Sequence, residues 1–392
     1  MRRDKLDRVN EIMEELVNDG EIAGMNLLIT RFGKEQHYYE VGKADIAAKK
    51  PIKRDTIFRL YSMTKPVTAA AVMMLFEDGK IDLVDPVEKY LPGFQNQHIY
   101  VNGKKTALNA PMQIHHLLSM TSGLTYGGDD ENGKETWALL EELQNKLYSE
   151  TPITTLDFAN RLGGCALAFA PGGHFAYGFS ADVLGAIVEV VSGMSFGSFL
   201  KKRLFWPLGM KDTDFYVPKE KKDRLSRVYE KTEEGLKEFR LNNLGILNKM
   251  DIKPAFESGG AGLVSTIDDY AKFGQMLLQG GIYKGQKILS NKTVEYMTTG
   301  RLYGTPRADF STWDGLQGFE YRNLMRIARD KEAFTFNASV GEYGWDGWLG
   351  AYFANLPKED ATILFMMQRT DTGTAPFTRR LRNVIAAAFE EF

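Results

Sequence analysis

Strand-type and helix-type sequence are segregated along this chain, so any sheet must be assembled from residues close to its two ends. Residues 22–45 hold MNLLITRFG and HYYEVG, two apolar or aromatic runs separated by a polar turn at Gly33 and Lys34, which predicts a β-hairpin. After about residue 333 strand signals return as AFTFNASV, GAYFANL and ATILFMMQ, β-rich runs divided by Gly, Asp or Pro. An amphipathic helix is expected at each extremity. In MRRDKLDRVNEIMEELVNDG, residues Leu6, Val9, Ile12, Met13 and Leu16 recur at helical spacing, and TRRLRNVIAAAFEEF closes the chain. From Ser62 to about Gly300 the pattern is mainly helical. TAAAVMMLFEDG ends on Gly79, the segment 181–192 follows Ser180 as its N-cap, and DDYAKFGQMLLQGG is opened by Thr266 and Asp268 and closed by Gly280 and Gly281. DDENGKE at 129–135 reads as an exposed loop. This order predicts an α/β domain made of residues 1–61 and 305–392, with a mainly helical domain, 62–304, inserted into it. A ligand site is expected in the cleft between the two.

Composition narrows the partners. Forty-nine Lys and Arg against 51 Asp and Glu give a net charge of −2, which supplies no electrostatic footprint for nucleic acid or an anionic membrane. A small uncharged or mildly charged substrate fits better. The N-terminal segment is not a signal peptide, because Asp7, Glu11, Glu14 and Glu15 interrupt what would have to be an apolar stretch. No run of about 18 apolar residues occurs. The single cysteine, Cys165, excludes an internal disulfide and is compatible with a reducing compartment, so a cytoplasmic location is expected.

Ser62-Met63-Thr64-Lys65 puts a hydroxyl and an amine one helical turn apart on one face. The amine can act as a base only when neutral, a form that burial and the positive end of a helix both favour. Pro66 is tolerated in a first turn and not in a helix interior, which places Ser62 at or next to a helix start. Unpaired N–H groups there can stabilise a developing oxyanion. The motif alone is weak. A second copy, Ser198-Phe199-Leu200-Lys201, is followed by Lys202 and Arg203 and reads as an exposed charged face. Gly193-Met194-Ser195-Phe196-Gly197 matches the nucleophile elbow of α/β-hydrolases, but the preceding residues repeat at helical spacing. All five histidines, His37, His98, His115, His116 and His174, also precede Ser195, whereas the elbow's histidine follows its serine. Ser192-Gly193 reads instead as a helix terminus. His115-His116 lack the spacing of metal ligands, and the glycine-rich stretches 171–173 and 258–262 lack a phosphate-loop ending, so they read as turns.

The run DTIFRLYSMTKPVTAAAVMMLFEDGKIDLVDPVEKYLP resembles the serine β-lactamase and penicillin-binding-protein superfamily, in particular its class C-like branch and the related family VIII carboxylesterases. HHLLSMTSGL, PGGHFAYGFSADVLGAIVEVVSG, PLGMKDT and SGGAGLVSTIDDYAKFGQMLLQGG agree with it in order, so the resemblance covers nearly the whole chain. It implies an α+β fold of β-lactamase/transpeptidase type, an antiparallel sheet flanked by terminal helices with the helical domain inserted. It also implies a catalytic set of Ser62, Lys65 and Tyr177, the last in Tyr177-Gly178-Phe179-Ser180. A close Lys65 cation would favour the phenolate of Tyr177, and either residue could deprotonate Ser62. Phe179 stands where a lactamase has the asparagine that orients an amide. Gly344-Trp345-Asp346-Gly347-Trp348 matches the third family element, with Trp345 in place of the lysine that holds a β-lactam carboxylate and Asp346 as an unusual middle residue. The resemblance therefore implies substrate contacts at Trp345, Gly347 and Phe179, an oxyanion hole from the backbone N–H groups of Ser62 and Trp348, and neither a metal nor an organic cofactor. The expected activity is hydrolysis of short-chain esters through an acyl-enzyme. β-Lactamase, D-amino-acid peptidase and a silent ligand-binding relative are the alternatives. The oligomeric state is not legible.

Overall fold

The computed structural model describes residues 1–389, so 390–392, the end of the expected C-terminal helix, lie outside the described residues. Its centre is an antiparallel sheet of eight strands. In chain order these are β1 (Gly24–Arg31), β2 (Lys34–Asp45), β3 (Lys50–Pro51), β4 (Phe319–Arg322), β5 (Met325–Ala328), β6 (Tyr343–Asp346), β7 (Tyr352–Leu356) and β8 (Ala361–Met367). In space they run β4-β5-β6-β7-β8-β1-β2-β3. The two ends of the chain meet in the middle of the sheet, where β1 pairs with β8 and Leu28 lies opposite Leu364. The hairpin of β1 and β2 turns at Phe32 and Gly33, both at positive φ.

Both faces of the middle of the sheet are covered, which is why β1, β7 and β8 read as largely apolar runs. On one face Leu27, Ile29, Ile363 and Phe365 pack under two terminal helices, α1 (Arg3–Asn18) and α5 (Pro376–Ala386). On the other, Leu28, Phe353, Leu364 and Met366 join the main core. That core contains α2 (Thr64–Glu77), buried all round from Thr64 to Leu75, together with α3 (Ser180–Ser192) and α4 (Ile267–Leu278). A helix without a polar face belongs inside a protein, and α2 runs through the centre of this one. Thr266 caps α4 by accepting from the Asp269 N–H, and α3 ends on Gly193 at a φ of 68°. Among the described residues no single helix is long and apolar enough to cross a membrane.

Four local expectations need correction. AFTFNASV is not a strand; Phe334 and Phe336 instead lay their rings on Phe319 of β4, so the apolar alternation serves side-chain packing rather than a ladder. The strands β4 and β5 were not expected, because Glu320, Arg322 and Arg326 break the apolar pattern. Their turn, Asn323-Leu324, has both residues at positive φ without the usual glycine. Ser180 is the first residue of α3 rather than its cap; the cap position is Phe179, and the Ser180 hydroxyl bonds that of Ser122 at 2.8 Å. Lys134 and Glu135, assigned to the loop 129–135, begin the helix Lys134–Asn145.

Candidate active site

Ser62 lies in a single 3₁₀ turn, Tyr61–Met63, that leads directly into α2. Pro66 occupies the first turn of that helix, where no N–H is missed. Tyr61, immediately before the serine, is buried with a φ of 45°, a left-handed conformation that a residue with a side chain adopts only when its surroundings hold it there. One turn on, Lys65 has no exposed surface. Its Nζ reaches Ser62 Oγ at 3.2 Å, the Tyr126 hydroxyl at 3.2 Å and the Gly260 carbonyl at 2.9 Å. Burial lowers its pKa from 10.5 to about 7, opposed by the charge of Asp182. The amine is therefore substantially neutral near neutral pH while touching the serine hydroxyl.

Tyr177 approaches Ser62 from the segment just before α3. Its hydroxyl is hydrogen-bonded to the Ser62 side chain and accepts from Trp345 Nε1 at 2.7 Å. Burial pushes the phenol well above its usual range, those two bonds pull it back, and the charge of Asp346 adds to the rise. Lys65 Nζ sits over the Tyr177 ring, 4.4 Å from its centroid. Burial thus favours the neutral form of both groups, lowering the Lys65 amine and raising the Tyr177 phenol, which speaks against the phenolate expected for Tyr177. Tyr126, which sequence reasoning missed, completes the cluster. Its hydroxyl meets Lys65, its ring packs edge-on to Phe179 at 4.8 Å, and burial raises its pKa. Nothing in Thr125-Tyr126-Gly127 marks it, since its partner is 61 residues away in the chain.

The opposite wall is the turn after β6. A Cβ on Gly347 would lie 2.3 Å from the Leu60 carbonyl, so only glycine lets this turn approach the Ser62 segment so closely. Trp348 then sets its ring 5.0 Å from that of Tyr61, and its Nε1 donates to Asp371 Oδ1 at 2.7 Å. Trp345 and Asp346 point to opposite faces of the strand. Trp345 faces Tyr177, whereas Asp346 pairs at 2.6 Å with Arg326, which is buried behind the sheet. Two of the expected substrate contacts are buried. Phe179 is 1% exposed, wedged between Tyr126 and Phe158, and supports Tyr126 instead of presenting surface. Trp345, 4% exposed, orients the Tyr177 hydroxyl.

The rival motifs lie elsewhere. Ser195 caps the short helix Phe196–Leu200 by accepting from the Ser198 N–H, and it follows a helix rather than a strand. Lys201 pairs with Asp214 at 2.6 Å. His115 and His116 both bond Gln113, His115 to its side chain and His116 to its N–H.

Comparison with known proteins bears on the fold and the family. A sequence model described as Beta-lactamase matches residues 9–388. Protein Rv1367c of Mycobacterium tuberculosis is 29% identical over 374 residues, covering 93% of this chain and 90% of that one. Esterase EstB of Burkholderia gladioli is 30% identical over 280 residues, 67% of either chain. Among solved structures, EstCE1, described as a hydrolase with promiscuous acyltransferase activity, superposes with a TM-score of 0.83 at 24% identity, over 98% of this chain and 99% of that one. With the family model spanning nearly every residue, the chain belongs to the beta-lactamase family of serine hydrolases.

Proposed function

We propose that the protein is a serine carboxylesterase in which Ser62 is the nucleophile, Lys65 the general base and Tyr177 the proton donor. The observation that carries this reading is the fully buried Lys65 amine, held 3.2 Å from Ser62 Oγ with its pKa lowered to about 7. Neutral Lys65 has two N–H bonds and one lone pair. The Gly260 carbonyl can only accept and takes one N–H; with the second N–H given to the Tyr126 hydroxyl, the lone pair is left for the Ser62 proton. Ser62 Oγ adds to the ester carbonyl carbon as its proton passes to Lys65. The resulting oxyanion would be met by the N–H groups of Ser62 and Trp348, donors worth about 3–4 kcal/mol each in other enzymes. Collapse breaks the bond to the alkoxide, which leaves with the proton of Tyr177, and the Lys65 ammonium returns a proton to the phenol. Water then repeats the sequence on the acyl-enzyme and frees the acid.

A neutral ester is favoured over a β-lactam because Trp345 occupies the place of a carboxylate-binding cation and uses its N–H on Tyr177. The similarity to esterase EstB supports the same substrate class. Turnover of p-nitrophenyl acetate and butyrate against nitrocefin at equal concentration tests it. Faster ester hydrolysis is expected; faster nitrocefin hydrolysis overturns the esterase reading, and hydrolysis of neither by folded protein overturns the enzyme reading.

A further inference from the structure

A buried carboxylate stands behind Lys65 that the steps above do not use. Asp182, in the first turn of α3, is 2% exposed. Its Oδ1 accepts from the Ser258 hydroxyl at 2.5 Å and from the Gly260 N–H at 3.1 Å. The carbonyl of that same Gly260 is the acceptor for Lys65 Nζ. One glycine therefore connects the carboxylate to the amine. The run 258–262 can do this only because it lies flat on the start of α3. A Cβ on Gly260 would stand 2.6 Å from Asp182 Oδ2, and one on Gly259 would stand 2.3 Å from the Ala181 carbonyl.

We propose that Asp182 is a positioning residue for acyl transfer, which through Gly260 fixes the direction of the Lys65 lone pair and through its charge sets how strong a base that amine is. The inference rests on Lys65 being the base. Burial alone drives a lysine toward a neutral and weakly basic amine, and a nearby anion opposes that drive. Asp182 supplies the opposing charge. Desolvation raises the Asp182 carboxyl above its ordinary range, and the Ser258 bond, the charge of Lys65 and the Gly260 bond oppose that rise in favour of the ionised form. The other titratable groups facing Lys65 are Tyr126 and Tyr177, both kept neutral by burial. Asp346 reaches the site only through its charge on Tyr177, from the far face of β6.

Asp182→Asn separates charge from geometry, because an amide oxygen accepts from the same two donors. The acid limb of the kcat/KM–pH profile is expected to move to lower pH by about one unit. The plateau kcat should fall roughly tenfold to a hundredfold at nearly unchanged KM. A folded Asp182→Asn with the parent's profile and kcat overturns the proposal. Ser258→Ala removes one donor from the carboxylate while leaving its charge, and serves where Asp182→Asn does not fold. A severalfold loss of kcat at constant KM is then expected, and an unchanged kcat overturns the proposal. Lys65→Ala, measured alongside, distinguishes the two failures. If it retains activity, the reading of Lys65 as base has failed; if it is inactive while Asp182→Asn resembles the parent, only the role of Asp182 has.

Discussion

Lys65 is costly to the fold and suited to the proposed chemistry for one reason, its removal from water. In the folded chain its pKa lies near 7, below its usual value of 10.5, so between those values the unfolded chain binds more protons. Stability from this group therefore rises as pH climbs from about 7 toward 10, and its penalty is fully present below 7. Lys65→Met should abolish ester hydrolysis, and its thermal stability relative to the parent should be more favourable at pH 6 than at pH 9. The parent's kcat/KM should rise with pH through an inflection near 7 as the amine loses its proton, and a profile flat from pH 5 to 9 would contradict the assignment. At this scale the sequence was informative where chemistry is local. Ser62 and Lys65 are one turn apart and Pro66 marks the helix start, so spacing alone brought them together. Tyr126 and Asp182 were not legible because each meets Lys65 only through tertiary contact, Asp182 by way of a glycine run that reads as a plain turn.

Among the elements, β6 and the turn after it bring the two halves of the site into register. The alternation of a strand puts Trp345 beside Tyr177 and Asp346 against Arg326, which accounts for the acidic middle residue that looked out of place in the sequence. Gly347→Ala tests how closely this turn must approach. The added methyl would collide with the Leu60 carbonyl, so the turn has to withdraw from the Ser62 segment. The expected result is a folded protein whose kcat falls by about 10²-fold, the size of losing one oxyanion donor, with a smaller change in KM. An unchanged kcat would show that the turn takes no part. The helices α1, α3 and α4 were legible from apolar spacing and caps. The strands β4 and β5 were hidden because their charged residues are satisfied by partners outside their own hairpin, as Arg326 is by Asp346 and Glu320 by Arg307 at 2.7 Å.

The whole molecule follows from central strands, β1, β7 and β8, whose two faces are both buried. Because β1 and β8 pair centrally, the sheet joins the ends of the chain, and its two faces divide the apolar residues between the terminal helices and the main core around α2. That arrangement was legible in outline, since strand signals cluster at both ends, whereas the strand order depends on pairings between distant residues. It leaves Ser62 at the buried end of α2, met from one side by Tyr177 and from the other by the turn of Gly347. A fold that converges on one serine makes a direct demand. Incubation of the intact protein with a p-nitrophenyl phosphonate ester, followed by peptide mass mapping, should place a single adduct on the peptide carrying Ser62. Ser62→Ala should remain unlabelled, and Ser195→Ala should label like the parent. An adduct on Ser195, or none on the folded parent, would contradict the account.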